Sequence, residues 1–449
     1  MGKLFGTDGI RGEANRHPMD AAIAFSVGQA VAKLFKKEGH RTRVIIGKDT
    51  RISGYMLESS LEAGISSMGG VSYLVRVLPT PGIAFISQSM RADAGIVISA
   101  SHNPYQDNGI KIFSGDGFKL SDEQEDTIEE LILGGKLPDM VPPPNEIGRA
   151  YRMEDAPGRY IVFLKNTFPR DLSMEGMKIV LDTANGATYR VAPAAFTELG
   201  ADLEVIHNNP DGLNINDNCG SQYTQDLEKR VLETGAAIGL AFDGDGDRLI
   251  AVDEKGRTIT GDQIMIICAR MLKEQGKLQN DLVVSTVMSN LGLSIACRKY
   301  GFKYHSSKVG DRYVLEDMQR LGAVIGGEES GHLIFLDHHT TGDGIIAALQ
   351  LIAAMIKQGK TLSELADMMD IFPQKLINVE VKSKPDISTV PQVVEAIKQV
   401  EEELGDQGRV LVRYSGTQNA CRVMVEGPSD DITEKYCGQI ADVVRDALG

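Results

Sequence analysis

The chain has 449 residues, with 47 Lys+Arg against 62 Asp+Glu, a formal net charge of −15, and 42% apolar residues with few aromatics. That length exceeds the ~100–200 residues of one domain, so two to four cores are expected, and the acidic balance argues against a nucleic-acid partner, whose phosphates it would on average repel. Glycine is unusual at 48 residues, about 11% against an ordinary ~7%, without a collagen period or a low-complexity block, which assigns the glycines to turns and loops of a folded protein.

One pattern recurs three times along the chain. A β-branched run, a polar turn, a helix-length stretch and a glycine follow one another in each. The first runs from 44–50 through Met56 and Leu61 to Gly69-Gly70 and the apolar run 71–75; the second from 179–183 through Val191 to Leu199-Gly200 and 203–206; the third from 283–287 through Leu291 to Tyr300-Gly301. Such spacing predicts βαβ units around parallel or mixed sheets. Each is followed, after another helix-length stretch, by an apolar strand ending abruptly in polar residues: 96–98 before Ser99-Ala100-Ser101-His102-Asn103-Pro104, 238–242 before Asp243-Gly244-Asp245-Gly246-Asp247, and 324–327 before Glu328-Glu329-Ser330-Gly331-His332. Ligands of open α/β sheets bind outside the carboxyl ends of strands. Three related domains would thus each offer one loop.

Pro142-Pro143-Pro144, within 138–144, predicts a stiff non-helical linker after the first domain. The turn Asp253-Glu254-Lys255-Gly256 closes the second domain and Phe372-Pro373 the third; from about 374 onward the pattern strand, helix, strand, strand, helix remains. The expected boundaries are 1–152, 153–255, 256–372 and 373–449. They delimit three related α/β domains with mixed sheets and a smaller C-terminal α+β domain, arranged around a central cleft. The longest apolar run, 344–356, is interrupted by Gln350 and is too short for a membrane span, and the N-terminus has no apolar signal region. Five scattered cysteines without a Cys-x-x-Cys fit the reduced thiols of a cytoplasmic protein better than a disulfide frame or a zinc site.

Four constellations carry chemistry. Asp243, Asp245 and Asp247 alternate with glycines directly after a strand, and clustered hard oxygen ligands suit Mg²⁺ or Ca²⁺ rather than zinc. An EF-hand fails because its sixth loop position is Arg248, where that loop requires Gly. A solvated acidic turn is the plainer alternative, but three such Asp repel one another unless a cation is present. Ser101 lies past a buried strand in a polar loop that continues to Lys111. Its neighbour His102 does not by sequence adjacency make a catalytic triad, and the Gly-x-Ser-x-Gly elbow is absent. Taken alone Ser101 is a turn residue or a nucleophile; beside a metal loop it becomes a hydroxyl able to carry phosphate.

The third constellation, Glu328 to His332, offers carboxylates and a hydroxyl of the kind that hold vicinal sugar hydroxyls, with His332 able to position or transfer a proton; a helix cap or turn with solvated acids is the alternative. The fourth, Arg413-Tyr414-Ser415-Gly416-Thr417-Gln418-Asn419 with Arg422, suits a phosphate cradle without a Walker lysine. Arg11, Arg51 and Lys308, in polar, glycine-containing loops of an acidic chain, favour a concentrated anion site.

Together with Phe5-Gly6-Thr7-Asp8-Gly9, these motifs resemble the α-D-phosphohexomutase superfamily along the whole chain and in the same order. Within it, Leu213-Asn214-Ile215-Asn216, Cys219-Gly220-Ser221 and Thr340-Thr341-Gly342-Asp343-Gly344 look most like the bacterial glucosamine branch. The resemblance implies a phosphorylated Ser101, and one Mg²⁺ held by Asp243, Asp245, Asp247 and a phosphoserine oxygen. It implies interconversion of glucosamine 6-phosphate and glucosamine 1-phosphate through glucosamine 1,6-bisphosphate, feeding UDP-N-acetylglucosamine and cell-wall precursors. By position, Arg11 and Lys111 would stabilise the transferring phosphoryl group, with His102 at the serine loop, and Arg248 would support the metal loop. Glu328 and Ser330 would hold sugar hydroxyls, and Lys308 and His332 would position substrate or handle protons. Arg413, Ser415, Gly416, Thr417 and Arg422 would bind the non-reacting phosphate.

Small hexosamine phosphates are the implied partners, with neither nucleic acid nor membrane, and a homodimer is expected by analogy. Two positions depart from the branch: Glu329 stands where Gln is usual, a carboxylate that suits a substrate ammonium, and Gln418-Asn419 where Glu-Pro is usual, which loosens that turn. The alternatives are a phosphoglucomutase or phosphomannomutase of the same superfamily, a Mg²⁺-dependent phosphatase with Asp243 as nucleophile, and a sugar-phosphate sensor.

Overall fold

In a computed structural model of the chain, which describes residues 4–6, 8–415 and 419–449, the threefold repeat is realised as one sheet topology used three times. In the first sheet, Arg43–Lys48 pairs in parallel with Val71–Val77 on one side and Ala94–Ile98 on the other, and Asp107–Ser114 returns antiparallel to the last of these. In the second sheet Lys178–Asp182, Asp202–Ile206, Ile238–Phe242 and Leu249–Asp253 repeat those relations. In the third, Leu282–Thr286, Lys303–Ser307, Ile325–Gly327 and Leu333–Phe335 do so again.

The first sheet is extended to seven strands by Phe5–Gly6, Gly9–Glu13 and Arg149–Arg152. The second reaches past the turn at 253–256, because Thr258–Ile259 pairs with Leu249–Asp253. The proline-rich linker at 138–144 contains short 3₁₀ turns, Leu137–Met140 and Pro144–Glu146, rather than wholly extended chain. In each sheet the reversal from parallel third strand to antiparallel fourth strand is a polar loop. These three reversals are the serine, aspartate and glutamate loops singled out in the sequence.

The chain divides into two compact units, Met1–Val287 with Lys303–Asp367, and Met288–Phe302 with Met368–Gly449. In the first, the apolar run at 344–356 forms the helix Gly344–Gln358, whose residues from Gly344 to Met355 are all buried. It is a core helix. Asp343 caps it by accepting from the Ile345 and Ile346 amides, and its other oxygen accepts from the Tyr160 hydroxyl at 2.6 Å. No helix among the described residues is long and apolar enough to cross a membrane. In the second unit Gln374–Glu380, Ala420–Glu426 and Arg409–Tyr414 form an antiparallel sheet in that order. Its helices Pro391–Leu404 and Asp430–Leu448 share a core of Val393, Val400, Val423, Val425, Ile440 and Val444. All five cysteines are buried and free.

The helix Ser53–Ser67 starts two residues after Arg51 and packs on Ala21–Leu34 with unusually close backbones. A Cβ on Gly64 would lie 2.1 Å from the Phe25 carbonyl oxygen, and one on Gly28 2.4 Å from that of Leu61. Neither oxygen can retreat without moving its helix. Gly64→Ala is therefore expected to cost about 2 kcal/mol, the usual range for overpacking a close contact, measured as a lower urea midpoint; an unchanged midpoint would mean the helices part freely.

Candidate active site

The serine and aspartate loops meet within the first unit. Ser101 is 1% exposed, and its Oγ donates to Asp243 Oδ2 at 2.6 Å. The ligand oxygens of Asp243, Asp245 and Asp247 all lie within 4.8 Å of one another, and the three residues are buried. Burial and the charges of Asp247 and Asp245 hold the Asp243 carboxyl well above its ordinary range. One oxygen each of Asp245 and Asp247 is buried without a hydrogen-bond partner among the described residues. Carboxylate-only donors at this spacing, with two orphaned oxygens, fit a hard metal ion.

Cationic groups surround this cluster. Lys111 Nζ lies 2.9 Å from Asp245, 3.2 Å from Asp8 and 3.6 Å from Asp247. Burial disfavours its charge, yet these carboxylates raise it far above an ordinary lysine, so Lys111 is a fixed ammonium. Arg11 pairs with Asp8 and reaches the Ala100 carbonyl at 3.5 Å. Thr80 donates its hydroxyl to Asp245 at 2.6 Å. Arg248 donates its backbone N–H to Asp243 at 3.2 Å, and its Nε stands 3.9 Å from Asp247. His102 comes within 3.3 Å of Ser101 Oγ through Nδ1, a proximity that sequence adjacency alone did not promise. Burial, then Arg248 and Arg11, push its imidazole down to about 4, so it is neutral near pH 7.

The glutamate loop is fastened to the aspartate loop by backbone. Arg248 and His332 form a bridge, and the Leu249 amide donates to the Gly331 carbonyl at 3.0 Å. His332 is buried with Nδ1 3.6 Å from Asp247 and Nε2 3.6 Å from Asp311. Burial opposes its charge, but Asp247 and Asp311 raise it above an ordinary histidine. Glu328 accepts from the Gly310 amide at 3.2 Å, which ties this loop to the segment carrying Lys308. Lys308 and Ser330 are exposed, and the Lys308 ammonium lies 5.6 Å from the Tyr313 ring centre.

In the second unit, Arg413 and Arg422 are direct cross-strand neighbours, and burial followed by the Arg422 charge lowers Arg413 from its ordinary value. The Arg422 Nε and the Tyr414 hydroxyl are buried without hydrogen-bond partners among the described residues. The Ser415 amide donates to the Ala420 carbonyl, and Lys384 donates to the Ser415 carbonyl at 2.8 Å. Gly416 and Thr417, expected in the same loop, lie outside the described residues, as does Gln418.

One sequence expectation is corrected. Arg51 is no anion-binding group: its guanidinium is fully buried, and its five N–H groups are spent on protein acceptors. Nε donates to Asp49 at 2.8 Å, Nη2 to the carbonyls of Ser101 at 2.9 Å and Asn103 at 2.8 Å, and Nη1 to those of Pro104 and Asp107. Asp49 also accepts from the Ser99 hydroxyl, which in turn accepts from the Ser101 amide. Asp8, Thr80, Lys119 and Asp311 were not singled out. Lys119 pairs with both Asp8 and Asp311. Their partners lie far away in sequence, and only the Gly-Thr-Asp-Gly context of Asp8 carried a signal.

Four models of the phosphoglucomutase/phosphomannomutase family match in order: α/β/α domain I over residues 2–138, domain II over 158–256, domain III over 260–372 and the C-terminal domain over 376–443. A phosphoglucosamine mutase of Syntrophobacter fumaroxidans is 78% identical over the full length of both chains. Among solved structures, a phosphoglucomutase/phosphomannomutase family protein of Burkholderia thailandensis is 22% identical with a TM-score of 0.81, covering 99% of this chain and 97% of that one. The N-acetylphosphoglucosamine mutase of Aspergillus fumigatus, solved with GlcNAc-6P and magnesium, is 18% identical with a TM-score of 0.71, covering 99% and 95%. These last two likenesses speak to the fold. The chain belongs to the phosphoglucomutase/phosphomannomutase family, in its phosphoglucosamine mutase branch.

Proposed function

We propose that this protein is an isomerase that interconverts glucosamine 6-phosphate and glucosamine 1-phosphate, with Ser101 carrying the phosphoryl group between turnovers. The observation that carries the reading is the buried Ser101 hydroxyl set 2.6 Å from one of three clustered aspartates. Phosphoserine would give its phosphoryl group to one hydroxyl of the hexosamine monophosphate; glucosamine 1,6-bisphosphate would turn in the site and return its other phosphate to Ser101.

Mg²⁺ is the proposed ion, held by Asp243, Asp245, Asp247 and an oxygen on Ser101, where it would neutralise charge on the transferring group. The magnesium in the Aspergillus fumigatus enzyme supports that choice. Lys111, clamped among carboxylates, supplies a fixed positive charge beside the transfer, and Arg11 holds the serine loop through the Ala100 carbonyl. His102 faces Ser101 Oγ, and Arg248 braces the aspartate loop through its backbone. His332, between Asp247 and Asp311, handles a proton. Glu328 and Ser330 grip sugar hydroxyls, and Lys308 positions substrate. Arg413, Ser415, Gly416, Thr417 and Arg422 take the phosphate that is not reacting. The facing pair of Arg413 and Arg422 supports this last role.

The four-domain division at 152, 255 and 372 belongs to the same proposal, supported by the order of the family matches. A cytoplasmic location is supported by five free buried thiols, and a homodimer by the prevalence of symmetric pairs. The product would feed UDP-N-acetylglucosamine and cell-wall precursors.

After incubation with a hexose 1,6-bisphosphate and Mg²⁺, intact-mass and peptide mass spectrometry should place one phosphate on Ser101, and Ser101→Ala should abolish turnover. An unmodified Ser101, or an unimpaired variant, would sink the mechanism. In a coupled assay, kcat/KM for glucosamine 1-phosphate should exceed those for glucose 1-phosphate and mannose 1-phosphate; any other ranking would overturn the sugar assignment.

A further inference from the structure

The segment around Leu213-Asn214-Ile215-Asn216 marks the branch in the sequence, yet its geometry points to the serine loop. The segment 211–220 is closed by its own turn, in which Asp211 Oδ1 accepts from the Leu213 and Asn214 amides. It is fastened to the end of the strand Lys178–Asp182 and the loop after it, where Asn185 Nδ2 donates to the Asn214 carbonyl at 3.3 Å. The Asn216 amide donates to the Ala184 carbonyl at 2.9 Å, and the Gly220 amide to Asp182 at 2.8 Å. Ile215 is 1% exposed. So held, Asn216 has φ +58°, a left-handed conformation that Asn tolerates better than most side chains.

From there the Asn216 side-chain amide donates to two carbonyls of the serine loop, that of Ser101 at 2.9 Å and that of Asn103 at 3.0 Å. These two oxygens also accept from Arg51 Nη2. The second domain thus reaches into the first and shares its anchor. The aspartate loop closes the remaining side: a Cβ on Gly244 would lie 2.6 Å from the Ser101 carbonyl oxygen and 2.8 Å from Asn216 Nδ2. Three loops meet around one carbonyl.

That carbonyl belongs to a residue in a costly conformation. Ser101 has φ +53°, and a non-glycine residue in this region carries about 1–2 kcal/mol of strain. Its relaxation to extended backbone would swing Oγ away from Asp243. Arg51 restrains the loop from its own domain, whereas Asn216 ties its position to the domain that carries the aspartates.

We propose that Asn216 is a positioning residue for phosphoryl transfer, fixing the Ser101 backbone so that Oγ stays registered with the aspartate loop. The inference rests on the mutase reading above. In the step concerned, the Ser101 Oγ–P bond forms as the sugar O–P bond breaks, and the hydroxyl proton passes to the departing sugar oxygen. Small displacements at such a centre cost rate far more than binding.

Two variants test it. Asn216→Gly keeps the left-handed backbone without strain and removes the amide; Asn216→Asp keeps size and backbone tolerance but sets a carboxylate against two carbonyls. Both should lower kcat and the rate at which a hexose 1,6-bisphosphate phosphorylates Ser101 by about tenfold or more, while KM for glucosamine 1-phosphate changes little in both and the Tm changes little in Asn216→Gly. Variants that match the parent in both rates would overturn the proposal, as would a loss confined to KM or to Tm. A parent enzyme that takes no phosphate on Ser101 would overturn the mutase reading and the inference with it.

Discussion

Asp243, Asp245 and Asp247 bring ligand oxygens within 4.8 Å of one another in a place almost closed to water. A charge so buried costs several kcal/mol unless it is paired and hydrogen-bonded, and the surroundings are organised to meet that cost. Lys111 sits against Asp245 and Asp247, Arg248 and His332 against Asp247, and Thr80 donates to Asp245. Compensation stops short of completion, since one oxygen each on Asp245 and Asp247 accepts no hydrogen bond among the described residues, the Asp247 one having only the Arg248 Nε at 3.9 Å. A cluster satisfied by protein donors alone would have no use for a cation; this one retains the valence to bind one.

The same cluster sets the demands on Ser101. In the proposed transfer Ser101 Oγ would have to approach a reacting phosphorus within a few tenths of an ångström of the productive position, which a mobile polar loop cannot provide. Here the loop carbonyls of Ser101, Asn103, Pro104 and Asp107 all accept from one buried guanidinium, that of Arg51. Asp49 keeps that cation paired in the interior and takes the Ser99 hydroxyl, which in turn holds the Ser101 amide. Positive charge therefore does two distinct jobs on either side of the serine loop, balancing carboxylates through Lys111 and shaping backbone through Arg51.

The contrast explains what could be read in the sequence. The three loops were legible because each follows a buried strand at the same point of a repeated pattern, and the fold places all three at the same reversal of the same topology. The apolar run at 344–356 was legible as too short for a membrane, though its role as a buried helix depends on what packs around it. Arg51 was misread because an arginine in a polar loop looks alike whether it faces an anion or five internal acceptors, and four of those acceptors lie 50–56 positions away. Lys119 was missed for the same reason, with partners 111 and 192 positions distant. Main-chain carbonyls have no residue type, so a site built on them leaves little trace in composition.

The C-terminal unit shows the opposite electrostatic problem. Like charges directly opposite on neighbouring strands destabilise a sheet, yet Arg413 faces Arg422 across the ladder, burial already disfavours the Arg413 charge, and the Arg422 Nε has no hydrogen-bond partner among the described residues. Such a pair is stable in company with an anion, and a phosphate dianion supplies both the charge and the acceptor oxygens. A chain with net charge −15 thus holds one cluster short of positive charge and another short of negative charge. In the proposed reaction a metal ion would answer the first and a sugar phosphate the second, two opposite demands that an overall charge cannot reveal.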